Sequence, residues 1–138
     1  MLTHQEFDFL NIQWDEASQS VVMVWKSFAK GDKFRNGLDE GLELLRAKDA
    51  RNWLADLRDL GTVTKDDQEW SNENWYPRAI NAGVRKMAVI MPKSVISTMS
   101  VTRILTKVEK VDIETRYFDD LEASKVWLSS HTWAQPVS

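Results

Sequence analysis

Asn52-Trp53-Leu54-Ala55-Asp56-Leu57-Arg58 is a short apolar run lying between two stretches of helical pattern, and its reading decides the fold. A run of this kind is a strand buried on both faces, which needs helices on either side of it in the chain to cover those faces. Upstream, Gly31-Asp32 breaks the pattern and Asp32 is the expected N-cap. Phe34, Leu38, Leu42 and Leu45 then recur at helical spacing, with Arg35, Asp39, Glu43 and Arg46 on other faces. Downstream, Thr64 with Asp67 three positions later reads as a variant capping box. The helix it opens places Trp70, Trp75, Ala79 and Ala82 toward one face, is broken or kinked at Pro77, and ends at Gly83.

The same reading extends outward. Met87-Ala88-Val89-Ile90-Met91 is a second unbroken apolar strand, stopped by Pro92. Ser94 caps a helix expected to reach about Lys110, with Ile96, Met99, Ile104, Leu105 and Val108 toward the core. Val111, Ile113, Thr115 and Tyr117 alternate with polar residues, as in a half-exposed edge strand. Asp119 and Glu122 open a last helix whose Ala123, Trp127 and Leu128 face inward, and the tail from Ser129 to Ser138 is expected to fray in part. On the amino-terminal side, Phe7–Trp14 and Val21–Trp25 read as an antiparallel hairpin. The expected fold is α/β in the order ββαβαβαβα, with a mixed, mostly parallel five-stranded sheet in a single domain over residues 1–138.

Composition excludes several classes of function. A net charge of −3, with no basic run longer than Arg85-Lys86, argues against a nucleic-acid partner. The absence of Cys removes disulfides, thiolate metal sites and thiol nucleophiles. The first residues lack the charged and apolar regions of a signal peptide. No apolar run approaches the ~20 residues that cross a bilayer. A cytoplasmic protein with no transmembrane segment is therefore expected. His4 and His131 stand at opposite ends with no metal-ligand spacing, and no phosphate loop or nucleophile elbow occurs. Asp66-Asp67 and Asp119-Asp120 open helices, where carboxylates meet the dipole favourably. No catalytic residue, metal or cofactor is expected.

Two candidate sites remain. Asp56 and Arg58 end a central strand, and that edge of an open α/β sheet is where ligands bind. Thr64, Lys93 and Ser94 reach the same edge, so Asp56, Arg58, Thr64 and Ser94 form a candidate polar cluster; the alternative is a set of caps beside a local Asp–Arg pair. Trp70 and Trp75, with Met91 and Met99, are candidates to line an apolar pocket or a lid facing a membrane. Asp66, Asp67, Glu69 and Glu73 on the same helix would repel an anionic membrane, and aromatics at helical spacing are ordinarily core.

The element order resembles the STAS domain, the fold of the SpoIIAA anti-sigma-factor antagonists, and the chain is similar to the bacterial SpoIIAA-like (STAS/Sec-fourteen-like) proteins. Three stretches carry the likeness: Trp53 to Arg58; Trp70 through Trp75, Pro77, Ala79 and Gly83 into Lys86-Met87-Ala88-Val89; and Tyr117-Phe118-Asp119 with Glu122-Ala123 and Trp127-Leu128. It spans Phe7 to Leu128. The resemblance implies a non-catalytic regulatory or protein-interaction module with an unknown protein partner, docking around the Thr64 helix and its neighbour. The resemblance to lipid-transfer relatives implies an apolar ligand, and the aromatic content with the Pro77 break gives the alternative, a small apolar or lipid-like ligand between the Trp70–Gly83 helix and the Ser94–Lys110 helix. The antagonists carry a phosphorylatable Ser after the central strand; the segment from Asp56 to Thr64 has none, so that switch does not carry over. Thr62 and Thr64 are the phosphorylation candidates there, against the simpler reading of Thr64 as an N-cap. An edge strand and exposed aromatics would also suit a homodimer.

Overall fold

In the computed structural model, which describes residues 2–108 and 112–130, the Asn52–Asp56 run is strand β4 in the middle of a sheet, buried along its whole length. The strands before it are β1 (Leu2–Glu6), β2 (Leu10–Asp15) and β3 (Ser20–Trp25); those after it are β5 (Lys86–Ile90) and β6 (Glu114–Phe118). They form one sheet in chain order, antiparallel from β1 to β3 and parallel from β3 to β6. The sheet has six strands rather than the expected five. β1 escapes the sequence reading because it has no apolar face: its residues are almost all exposed, Leu2 at 73 %, and it joins through backbone pairing and a Lys26–Glu6 ion pair at 3.1 Å. Phe7 and Phe9, expected in the first strand, instead belong to the turn between β1 and β2, where their rings stack 5.3 Å apart.

Period-two alternation divides the sheet. Ile12, Met23, Trp53 and Met87 join a large core with α1 (Asp32–Ala47), which buries Phe34, Leu38, Leu42 and Leu45. The same core takes in residues of α2 (Lys65–Trp70), a π-helical turn (Ser71–Trp75), α3 (Tyr76–Ala82) and α4 (Val95–Val108). The opposite face, with Val22, Leu54, Ala88 and Ile90, packs on Leu128 of α5 (Leu121–Ser129). α1 lies close on the sheet because Gly37 and Gly41 face it: a Cβ on Gly41 would stand 2.5 Å from Trp53 Cη2 and 2.7 Å from Met23 Sδ.

Several local expectations are corrected. The N-cap of α1 is Gly31 at φ 60°, not Asp32, and its N–H donates to the Asp67 carboxylate at 2.8 Å. Pro77, which has no N–H to give, stands in the first turn of α3, and the helix passes it through the π turn, where the Tyr76 N–H reaches Ser71 O. On α4, Ile96 and Met99 point to solvent while Ser97 and Ser100 are buried, because the Ser100 hydroxyl is needed to accept from Val63 N at 3.1 Å. On α5 the cap is Asp120, bonded to Ala123 N at 3.0 Å, and Ser124 faces inward in place of the exposed Ala123. The expected helix end at Lys110, strand start at Val111 and frayed residues 131–138 lie outside the described residues.

Candidate functional site

A cleft of about 200 Å³, with more polar lining, lies among Ser18, Asp49, Asn52, Leu128 and Ser129. A smaller, apolar cavity of about 80 Å³ opens between the sheet, α1, the π turn and α4. Its floor is Trp25, Trp53, Ala55 and Met87 from alternate positions of β3, β4 and β5. Phe34 and Leu38 of α1 close one side, Leu57, Leu60 and Val63 of the β4–α2 segment another, and Val101 and Ile104 of α4 a third. The π turn and the start of α3 supply Ser71, Trp75 and Tyr76. The rings of Trp53 and Trp75 are tilted by 60° with centroids 5.1 Å apart, and those of Trp25 and Phe34 lie 5.4 Å apart.

The polar groups of this wall already have partners. Ser71 Oγ donates to Asp67 O at 2.8 Å, and Trp75 Nε1 to Leu38 O at 3.3 Å. The Tyr76 hydroxyl bonds to the backbone of Ile113. Burial pushes the pKa of Tyr76 up to about 12; the Ile113 bond opposes the shift and the Asp112 charge adds to it. What the cavity presents to a guest is therefore hydrocarbon and ring surface.

Of the sequence candidates, Trp75 lines this cavity and Trp70 does not. Trp70 is half-buried beside it, with the guanidinium groups of Arg35 and Arg78 at 5.4 and 5.6 Å from its ring. Thr64 caps α2: its hydroxyl accepts from Asp67 N at 3.3 Å and donates to Asp67 Oδ2 at 3.0 Å. Asp67, 1 % exposed, also takes Arg35 Nε at 2.9 Å and Gly31 N, so one carboxylate ties the starts of α1 and α2 together. Thr62 is exposed. Asp56 and Arg58 form a two-bonded pair at 2.9 and 2.7 Å, and this hydrogen bond, ahead of the neighbouring Asp charges, raises the pKa of Arg58. Ser94 caps α4 through Ser97 N at 3.3 Å, while Lys93 N bonds Arg58 O at 3.2 Å. The edge thus holds a Thr64–Asp67–Arg35 group and an Asp56–Arg58 group, each closed by its own bonds.

Sequence reasoning missed Lys86. It is fully buried on the α5 face, and its ammonium gives all three protons to the end of α5: Trp127 O at 3.3 Å, Ser130 O at 3.0 Å and Ser130 Oγ at 2.8 Å. Desolvation lowers its pKa, with Arg116 adding to the effect and Glu114 opposing it. Asn52 Nδ2 donates to Leu128 O at 3.0 Å beside it. The only signal in the sequence was a Lys opening an otherwise apolar strand. Among the described residues no group of three His, Asp or Glu side chains could hold a metal ion. Among them, too, no helix is long and apolar enough to cross a membrane.

No family model matches the chain, and no curated protein matches it. Among solved structures it is similar to an uncharacterised protein of the DUF3478 family from Shewanella loihica, described as having a SpoIIAA-like fold. The identity is 13 %, the TM-score 0.60, and the match covers 86 % of this chain and 91 % of that one. At that identity the likeness speaks for the fold and not for an activity. The arrangement of six strands and flanking helices described above is a SpoIIAA-like fold.

Proposed function

We propose that this domain is a non-catalytic binding module that takes the hydrocarbon part of a small apolar or lipid-like ligand into the cavity beneath α4. The observation that carries the reading is the 80 Å³ cavity whose wall is apolar and whose Ser71, Trp75 and Tyr76 polar groups are already bonded. Protein interiors are close-packed and hold few spaces larger than a water molecule. By the measured relation between cavity volume and stability, carbon atoms filling this one contribute about 2 kcal/mol. A polar guest would gain no hydrogen bond there, so the wall selects against it.

The regulatory or interaction reading has the exposed Thr62 in its favour. At Thr64, by contrast, a phosphate would displace the hydroxyl from Asp67 and bring negative charge beside that buried carboxylate.

The test of the ligand reading uses the three Trp rings of the wall, Trp25, Trp53 and Trp75, as reporters. Titration with ω-bromododecanoate is expected to quench their emission saturably, and unbrominated dodecanoate to reverse the quenching. Quenching that rises without saturation, as by simple collision, contradicts the reading.

A further inference from the structure

α4 buries two serines and leaves two of its large apolar side chains on its outer side. Ser97 and Ser100 are buried at 3 % and 2 %, while Ile96 and Met99 are 66 % and 54 % exposed. A surface helix ordinarily buries its apolar stripe. Here the inner side combines Val101 and Ile104 with hydrogen bonds: Ser100 Oγ accepts from Val63 N at 3.1 Å and donates to Ser97 O at 2.8 Å. Two large apolar side chains one turn apart are left for contact with something outside the domain.

The charge on this segment is equally one-sided. Between Ser94 and Val108 the sequence holds Arg103 and Lys107 and neither Asp nor Glu, although the chain as a whole is at −3. Arg103 is exposed and follows Met99 by four residues, so the two share one side of the helix. Apolar side chains with basic ones beside them are the combination that binds at an anionic lipid interface. The same helix walls the cavity: of the described lining residues, Ile104 alone is not buried.

We propose that the outer side of α4 is a docking surface for an anionic lipid bilayer, with Ile96 and Met99 entering the interface and Arg103 among the headgroups. The cavity would then be filled across α4 from the bilayer; that second clause rests on the ligand reading above, and the docking itself does not. Acidic groups nearby oppose it. Asp59 pairs with Lys93 at 3.3 Å, and Asp66 and Glu69 are exposed on α2, which packs on α4. Docking is therefore weak, and confined to bilayers rich in anionic lipid at low salt.

The test is co-sedimentation of the full chain with phosphatidylglycerol vesicles and, separately, phosphatidylcholine vesicles, at low and high salt. Binding is expected to phosphatidylglycerol only, to fall at high salt, and to weaken about tenfold in Met99→Glu and in Ile96→Glu. Both positions are exposed, so the urea midpoints of the variants should match the parent. No sedimentation with phosphatidylglycerol at low salt overturns the proposal, as does binding that both variants retain. It is also overturned by a dimer in analytical ultracentrifugation that Met99→Glu dissociates while vesicles stay unbound, which would make the stripe a contact between copies. Saturable bromododecanoate quenching without vesicle binding leaves the cavity reading standing and sinks this one; vesicle binding without quenching does the reverse.

Discussion

The sheet face bearing Trp25, Trp53 and Met87 and the face bearing Val22, Leu54 and Ala88 are closed in different ways. The first is covered by α1 to α4 and packed with aromatics: Trp25 on Phe34, and Trp53 on Trp75. The second is covered by the nine residues of α5 and one fully buried plug, Leu128. What that small face lacks in apolar area it makes up with polar grips, since Lys86 and Asn52 reach from the sheet to the carbonyls of Trp127, Leu128 and Ser130. The large face has abundant apolar surface and keeps an apolar cavity in it; the small face has the carbonyls at the end of α5 held by donors from the sheet, and the cleft of about 200 Å³ at its edge, beside Asn52, Leu128 and Ser129, is lined in part by Ser18, Gln19 and Asp49. The hydrocarbon guest proposed above would sit on the side whose cavity is apolar.

This contrast can be broken most directly at Lys86. Lys86→Met keeps the volume but takes three charged hydrogen bonds from the end of α5, where Trp127 O keeps only those from Ser130, and is expected to cost about 3 kcal/mol in urea unfolding. Hydrogen exchange should quicken first in α5. An unchanged midpoint would mean that the grip contributes nothing and that Leu128 alone holds the helix.

On the large face, Tyr76 gives a pH signature. Its folded pKa, pushed up to about 12 from 10.0, marks a fold that favours the neutral phenol. That contribution is present below pH 10 and is lost as the pH rises toward 12, in all roughly 2.5 kcal/mol. The lowered pKa of Lys86 acts with the opposite sign, adding stability as the pH approaches its ordinary value. Comparing the parent with Tyr76→Phe isolates the Tyr76 part: the variant should lose less stability across this window, and equal slopes would contradict the assignment.

Two smaller changes sharpen the distinction between tight and slack packing within the large face. Gly41→Ala forces a methyl against Trp53 and Met23 and should destabilise by about 2 kcal/mol in thermal or urea unfolding. Val101→Ile adds a methylene where the cavity has room, and should instead stabilise by about 0.8 kcal/mol while weakening bromododecanoate binding. If both variants destabilise alike, the space beneath α4 is not available to a guest.

Much of this architecture was legible in the residues. β3, β4 and β5 announce themselves as unbroken apolar runs, and α1 through Phe34, Leu38, Leu42 and Leu45, because burial on a regular element leaves a periodic trace. β1 left none, since it is held by backbone pairing with polar side chains. Ile96 and Met99 were misplaced for a related reason: helical periodicity assigns apolar residues to the core and cannot see that Ser100 is drawn inward by Val63 N. At the site, Trp75 was found as an aromatic at helical spacing. The wall residues Leu60 and Val63 lie in an irregular segment where no period exists to read. Lys86 was invisible because its partners, Trp127 and Ser130, are joined to it only by the fold.

The most direct measurement is native mass spectrometry of the gently purified protein, before and after incubation with dodecanoate. The account predicts an added mass that denaturation removes, either carried from the host or acquired from dodecanoate. A clean mass of the bare chain under both conditions would contradict the claim that the cavity beneath α4 holds a hydrocarbon ligand.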